Sequence, residues 1–174
     1  MFVSQQAMKI PVIKPIVLRC SLTAILIFAG LLLALHWRPG RQVRLHQQHF
    51  LRAVEDRNWK KVSAFVAPDF KDRWRQTRSI VLARLPQVFA NFLVCGIESS
   101  DSLLLWQDGT GVVQSRIRIV GSGGPIAQYI MEEAANLKQP FSFIWRHQSW
   151  KPWDWTLVEV DQPELQIPED TEFQ

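Results

Sequence analysis

The sequence predicts an α+β domain behind an N-terminal transmembrane helix. Three observations predict it: an uncharged apolar run early in the chain, apolar residues at helical spacing through residues 43–92, and apolar/polar alternation beyond residue 102. Helices followed by antiparallel strands, with aromatic side chains on the concave side, describe a cone of helices packed on a curved antiparallel sheet.

The 174 residues leave room for one ordinary domain, and 47% hydrophobic with 21% charged residues is the composition of a chain that folds. We divide the chain into a short basic tail (1–15), a transmembrane anchor (16–37), the α+β domain (41–162) and an acidic flexible tail (163–174). Residues 20–37, CSLTAILIFAGLLLALHW, contain no Asp, Glu, Lys or Arg. As a helix they reach about 27 Å, close to the ~30 Å hydrocarbon core of a bilayer. Ile16, Val17 and Leu18 extend the run, and Arg19 can snorkel toward headgroups. A cleaved signal peptide needs small residues at fixed places after its apolar region, which Ala34-Leu35-His36 and Trp37-Arg38-Pro39 do not supply. Arg19 directly before Cys20 argues against a lipoprotein signal. The expectation is a single-pass anchor with the N-terminal tail in the cytoplasm and the domain on the exported side. The flanking bases do not fix that orientation, because Lys9, Lys14 and Arg19 precede the run while Arg38, Arg41, Arg44 and Arg52 follow it.

The pI near 9.4 invites a nucleic-acid reading, but three of the four net charges are Lys9, Lys14 and Arg19, since no acid occurs before Glu55. The domain itself is close to neutral, so no nucleic-acid partner is expected. Its charge is lopsided: residues 38–84 carry 12 basic and 4 acidic side chains, residues 85–174 carry 5 and 12. Such asymmetry suits a face turned toward anionic headgroups or an acidic partner.

Along the domain, Val43, Phe50, Leu51 and Val54 mark a long amphipathic helix after Pro39-Gly40. Asn58 is placed to cap a short helix carrying Trp59, Val62, Phe65 and Val66. Val81, Leu85, Val88 and Phe92 outline a third helix that Pro86 should bend or split. Ser102–Gln107 reads as a strand ending at the turn Asp108-Gly109, and Val113, Ser115, Ile117 and Ile119 alternate along its partner. Gly121–Gly124 reads as a flexible break, with phosphate cradling weak for want of a following Lys and a parallel βαβ setting. Pro125 opens a helix marked by Ile126, Ile130, Ala134 and Leu137. Two strands close the domain: Phe141, Phe143 and Trp145 face inward on the first, and Trp153, Trp155 and Leu157 on the second. Asp154, Thr156, Val158 and Val160 lie on the second strand's other face, and the turn is at Lys151-Pro152.

The stretch FLRAVEDRNWKKVSAFVAPDFKDRW (Phe50–Trp74) and the closing pair PFSFIWRH and WDWTLVEV resemble the nuclear transport factor 2-like (NTF2-like) superfamily, with its SnoaL-like and ketosteroid-isomerase-like members. The resemblance covers residues 41–162, and the helix between Pro125 and Leu137 departs from the simplest family pattern. It implies a conical cavity between sheet and helices and no single activity, because the superfamily includes isomerases, dehydratases, transport adaptors and membrane-tethered secretion-system scaffolds.

Proton-moving enzymes of this fold need a carboxylate or histidine facing the cone. Asp69, Asp72, Asp101 and His147 are the groups to weigh, Asp72 and His147 foremost, and none is assigned a catalytic role: the acids read as surface or capping residues, His147 as a half-exposed strand residue. Trp74, Trp106, Phe143, Trp145 and Trp155 are the candidate lining of a hydrophobic ligand pocket, the alternative being that they fill it. His46 and His49 have no third ligand, so no metal is expected; no cofactor is implied; Cys20 and Cys95 read as unpaired thiols. The leading expectation is a membrane-anchored, non-enzymatic binding or scaffolding module, homodimeric through its outer sheet face, with a protein partner in the envelope. The alternative is a small-molecule carrier or an isomerase- or dehydratase-like enzyme using the cone.

Overall fold

In the computed structural model the described residues are 25–31 and 37–165. The chain divides into two compact units, Met1–His36 and Trp37–Gln174. Of the first, residues 25–31 are helical, with Ile25, Leu26, Ile27, Phe28 and Leu31 exposed. Residues 16–24 and 32–36 of the predicted anchor and the basic tail lie outside the described residues, and among those described no helix is long and apolar enough to cross a membrane.

The second unit contains helices α1 (Pro39–Glu55), α2 (Trp59–Phe65) and α3 (Arg78–Ala90), strands β1 (Phe92–Gln107) and β2 (Thr110–Gly123), helix α4 (Pro125–Asn136), and strands β3 (Phe141–His147) and β4 (Trp155–Asp161). The strands form one antiparallel sheet in the order β1-β2-β3-β4. Pro39 starts α1, where its missing N–H is not needed. Asn58 caps α2 through Oδ1, which accepts from the Lys61 N–H at 3.1 Å. Pro86 sits inside α3 without dividing it. Val43, Phe50, Leu51 and Val54 of α1, Val62 of α2 and Phe89 of α3 meet Val113, Phe143, Trp145, Trp155 and Leu157 of the sheet in one core.

Four local expectations are corrected. Phe92 opens β1 instead of closing α3, and β1 starts ten residues earlier than Ser102. Register shifts after Phe92 and after Ser100 break the two-residue alternation that would have shown the longer strand. The glycines after Val120 are packing sites within β2: Gly121 (φ +152°) pairs with Cys95, and a Cβ there would lie 2.0 Å from the Val94 carbonyl oxygen. A Cβ on Gly123 would lie 2.3 Å from the Asn91 oxygen and 2.6 Å from the Ala127 Cβ, so α4 closes onto β2 because that residue has no side chain. Val160 faces the core, because an irregularity between Ile144 and Trp145 pairs Trp145 with Leu157 but Phe143 with Val160. One extra residue on β4 reverses the side on which every later residue emerges. Trp153 precedes β4 and lies in the turn.

The β4 edge is covered by the chain after α2, whose Ala67, Lys71 and Arg73 N–H groups donate to the carbonyls of Leu157, Val158 and Val160. Beyond β4, buried Gln162 donates to the Gln139 carbonyl and accepts from the Leu165 N–H. Residues 163–165 of the predicted tail are thereby tied to the domain, and residues 166–174 lie outside the described residues.

Candidate functional site

The cone interior follows from two periodicities. On β3 every second residue points inward, which brings Phe143 and Trp145 to the concave face; on α1 residues 43, 46, 47, 50 and 54 share one stripe over it. Trp145 is 0% exposed, and its Nε1–H donates to Gln47 Oε1 at 2.9 Å. The rings of Phe50, Phe65 and His46 meet it edge to face at 6.1, 6.2 and 6.1 Å between centroids. Phe143 packs on Phe50 at 6.4 Å, also edge to face. The centre of the cone is thus occupied by its own aromatic side chains.

Two polar groups are stranded in this apolar setting. Gln47 Nε2 and Ser115 Oγ are buried without a hydrogen-bond partner, on facing elements α1 and β2. His46 stands beside Gln47 in sequence and against Trp145 and Phe65 in space, and its Nδ1–H donates to the Gln42 carbonyl at 2.9 Å. His46 and Gln47 occupy the same stripe as Val43, Phe50 and Val54, so polar residues at apolar positions of an amphipathic helix were the signal for them.

The residues singled out from sequence are not brought to one place. Phe143, Trp145 and Trp155 are buried in the core. Trp106 is half exposed and covers Trp155 at 5.9 Å, and Trp155 Nε1–H donates to the Pro152 carbonyl. Trp74 lies elsewhere, at the far end of β4, where its Nε1–H donates to the Leu165 carbonyl at 2.8 Å. Asp72 sits at that same far end, next to Arg73, which bonds Val160, whereas His147 pairs with Trp155 at the start of β4. Five residues of strand separate these positions, roughly 17 Å.

Each of the two candidates is engaged by backbone. His147 Nε2–H donates to the Lys151 carbonyl at 2.6 Å, with its ring 4.8 Å from Trp155. The Asp72 carboxylate accepts from the Gln76 N–H at 2.6 Å and holds the turn before α3. Burial pushes the Asp72 carboxyl above its ordinary value, against the opposing pull of the Gln76 and Trp74 N–H groups. Asp69 is exposed and accepts two hydrogen bonds from Arg146, at 2.7 and 2.9 Å, which hold its carboxyl below the usual range. The side chain of Asp101 lies outside the described residues. Among the described residues no group of His, Cys, Asp and Glu could hold a metal ion.

A second concavity of about 350 Å³ lies outside the cone, between α4 and the outer side of the β1–β2 hairpin, lined by Glu98, Ser100, Arg116, Arg118, Ala134 and Leu137. It is mainly polar, unlike a hydrophobic ligand site.

This arrangement of helices on a curved four-stranded antiparallel sheet is the NTF2-like fold, and comparison with solved structures bears it out. An NTF2-like protein of Pseudomonas putida is 13% identical, with a TM-score of 0.51 over 70% of this chain and 82% of its own. A candidate dehydratase of the NTF2-like family from Streptomyces avermitilis is 17% identical, with a TM-score of 0.53 over 70% and 93%. A Bdellovibrio bacteriovorus protein gives a TM-score of 0.53 at 7% identity over 70% of this chain, which spans 38% of that protein's length. No protein-family model matches the chain, and no curated protein matches it in sequence.

Proposed function

We propose that the chain is a membrane-anchored, non-enzymatic binding or scaffolding module of the cell envelope, self-associating through the outer face of its sheet. The filled cone supports this reading: Trp145 is wholly buried among aromatic rings where a ligand would sit. Asp72 and His147 hold turns and lie far apart, so they do not form an acid–base pair. The outer sheet face offers a site for self-association at Leu103 and Leu105, both exposed, beside half-buried Ile144 and buried Val112 on the neighbouring strands. The uncharged apolar run at residues 20–37 supports the anchor.

Light scattering on the detergent-solubilised full chain tests the reading: the wild type is expected as a dimer and Leu105→Asp as a monomer. A monomeric wild type at micromolar concentration removes the self-association.

Gln47 Nε2 favours a second reading, a small-molecule carrier or an isomerase- or dehydratase-like enzyme, because a stranded donor in an apolar cone suits a ligand with an acceptor oxygen. On that reading His46 is the imidazole beside the site. Native mass spectrometry of the full chain separates the two: a reproducible extra mass favours the carrier, and bare protein favours the scaffold.

A further inference from the structure

The four tryptophans of WRHQSWKPWDW divide sharply. Trp145 and Trp155 are core residues, whereas Trp150 and Trp153 are 85% and 51% exposed in the β3–β4 turn. Two more exposed tryptophans share that end of the domain. Trp37, 42% exposed, packs on Trp153 with ring centroids 6.2 Å apart. Trp106, 52% exposed, stands on Trp155 just before the β1–β2 turn. The register places the two turns side by side, since Thr110 pairs with Arg146 and His147 with Trp155. The start of α1 is there too: Gly40 lies against Leu104, for a Cβ on it would be 3.1 Å from the Leu104 side chain.

We infer that this end, formed by Trp37, Trp106, Trp150 and Trp153, is a membrane-docking surface whose occupant is the headgroup region of the bilayer. The inference rests on the anchor proposed above. The uncharged run ends at Trp37 itself, so no linker in the sequence separates it from the first residue of the domain. Tryptophan is the side chain enriched at that interface, with an apolar body for the acyl boundary and an N–H for the headgroups. The charges at this end are nearly balanced, exposed Arg38, Arg41 and Lys151 against exposed Asp108 and half-buried Asp154. The contact is therefore with the aromatic rings and does not depend on anionic lipid. Docking would hold the domain against the membrane and leave its outer sheet face to meet a second copy.

The test reconstitutes the full chain in phosphatidylcholine vesicles containing lipid brominated close to the headgroups, and compares the wild type with Trp150→Ala/Trp153→Ala. The difference between the two emission spectra reports those two rings. The expected result is that this difference component is quenched by brominated lipid, is protected from aqueous acrylamide, and is unchanged when anionic lipid is added. Far-UV circular dichroism checks the fold, and Trp150→Ala alone, at the most exposed of the four, serves if the double variant misfolds. A component open to acrylamide and untouched by brominated lipid, in a chain that withstands alkaline carbonate extraction, overturns the docking surface and leaves the anchor standing. If carbonate releases the chain, the anchor reading fails on its own. Sedimentation of the released chain with phosphatidylcholine vesicles then decides: Trp150-dependent co-sedimentation upholds the surface, and none overturns it.

Discussion

Replacing Trp145 with Phe tests whether the cone is closed by a coupled pair. The indole N–H is the partner of Gln47 Oε1 at 2.9 Å, and the other end of that carboxamide already has none. Trp145→Phe strands the whole carboxamide, which costs about 1–3 kcal/mol. The lost part of the indole adds on the order of 1 kcal/mol as cavity, because the surrounding rings relax only partly. The sum, about 2–4 kcal/mol, corresponds to a fall in Tm of roughly 10 °C for a domain of this size. Gln47→Met strands the indole N–H instead and is expected to destabilise as well. Together the two substitutions leave no orphan, so the double variant should lose less than the sum of the singles by at least ~1 kcal/mol. Near-UV circular dichroism followed through thermal unfolding of all four proteins supplies the cycle. Additivity within about 0.5 kcal/mol would refute the reasoning, since the hydrogen bond would then contribute nothing to closing the cone.

Other consequences are more local. Gly121→Ala should disrupt the far end of the hairpin, because φ is +152° and the new Cβ meets the Val94 carbonyl oxygen. Gly124→Ala, with open space around it, should fold with an unchanged Tm. Burial raises the Asp72 carboxyl above 3.8, so the folded state holds that proton more tightly than the unfolded one. Its contribution is fully present below pH 3.8 and is lost as pH rises through the raised value. Asp72→Asn should therefore gain Tm relative to the wild type between acid and neutral pH; a variant that falls further behind toward pH 7 would contradict this. If the cone is a scaffold core, His46→Ala lowers Tm without affecting dimerisation measured by light scattering. A loss of bound mass in native mass spectrometry would instead point to the carrier reading.

Much of this architecture was legible because it rests on short-range rules. The change from helical to two-residue periodicity placed the helices before the sheet, Asn58 and Pro125 marked helix starts, and Asp108-Gly109 marked the hairpin. The candidate site was less legible. Phe143, Trp145 and Trp155 were foreseen on the concave face, but nothing local tells Trp145 that α1 will bring Gln47 to its N–H from 98 residues away. His46 was legible only as a polar residue in an apolar stripe.

By itself the sequence determined the class of fold, the order of its elements and the apolar run before Trp37, all properties of period, capping and composition. Only the tertiary structure decided which tryptophans are core and which are surface, because a strand's pattern says which residues share a face but not what covers it. It also decided that Val160 faces inward and that Gly121 and Gly123 are packing sites. Both depend on where a bulge falls and how closely another backbone approaches, distances that arise only when segments remote in sequence pack together.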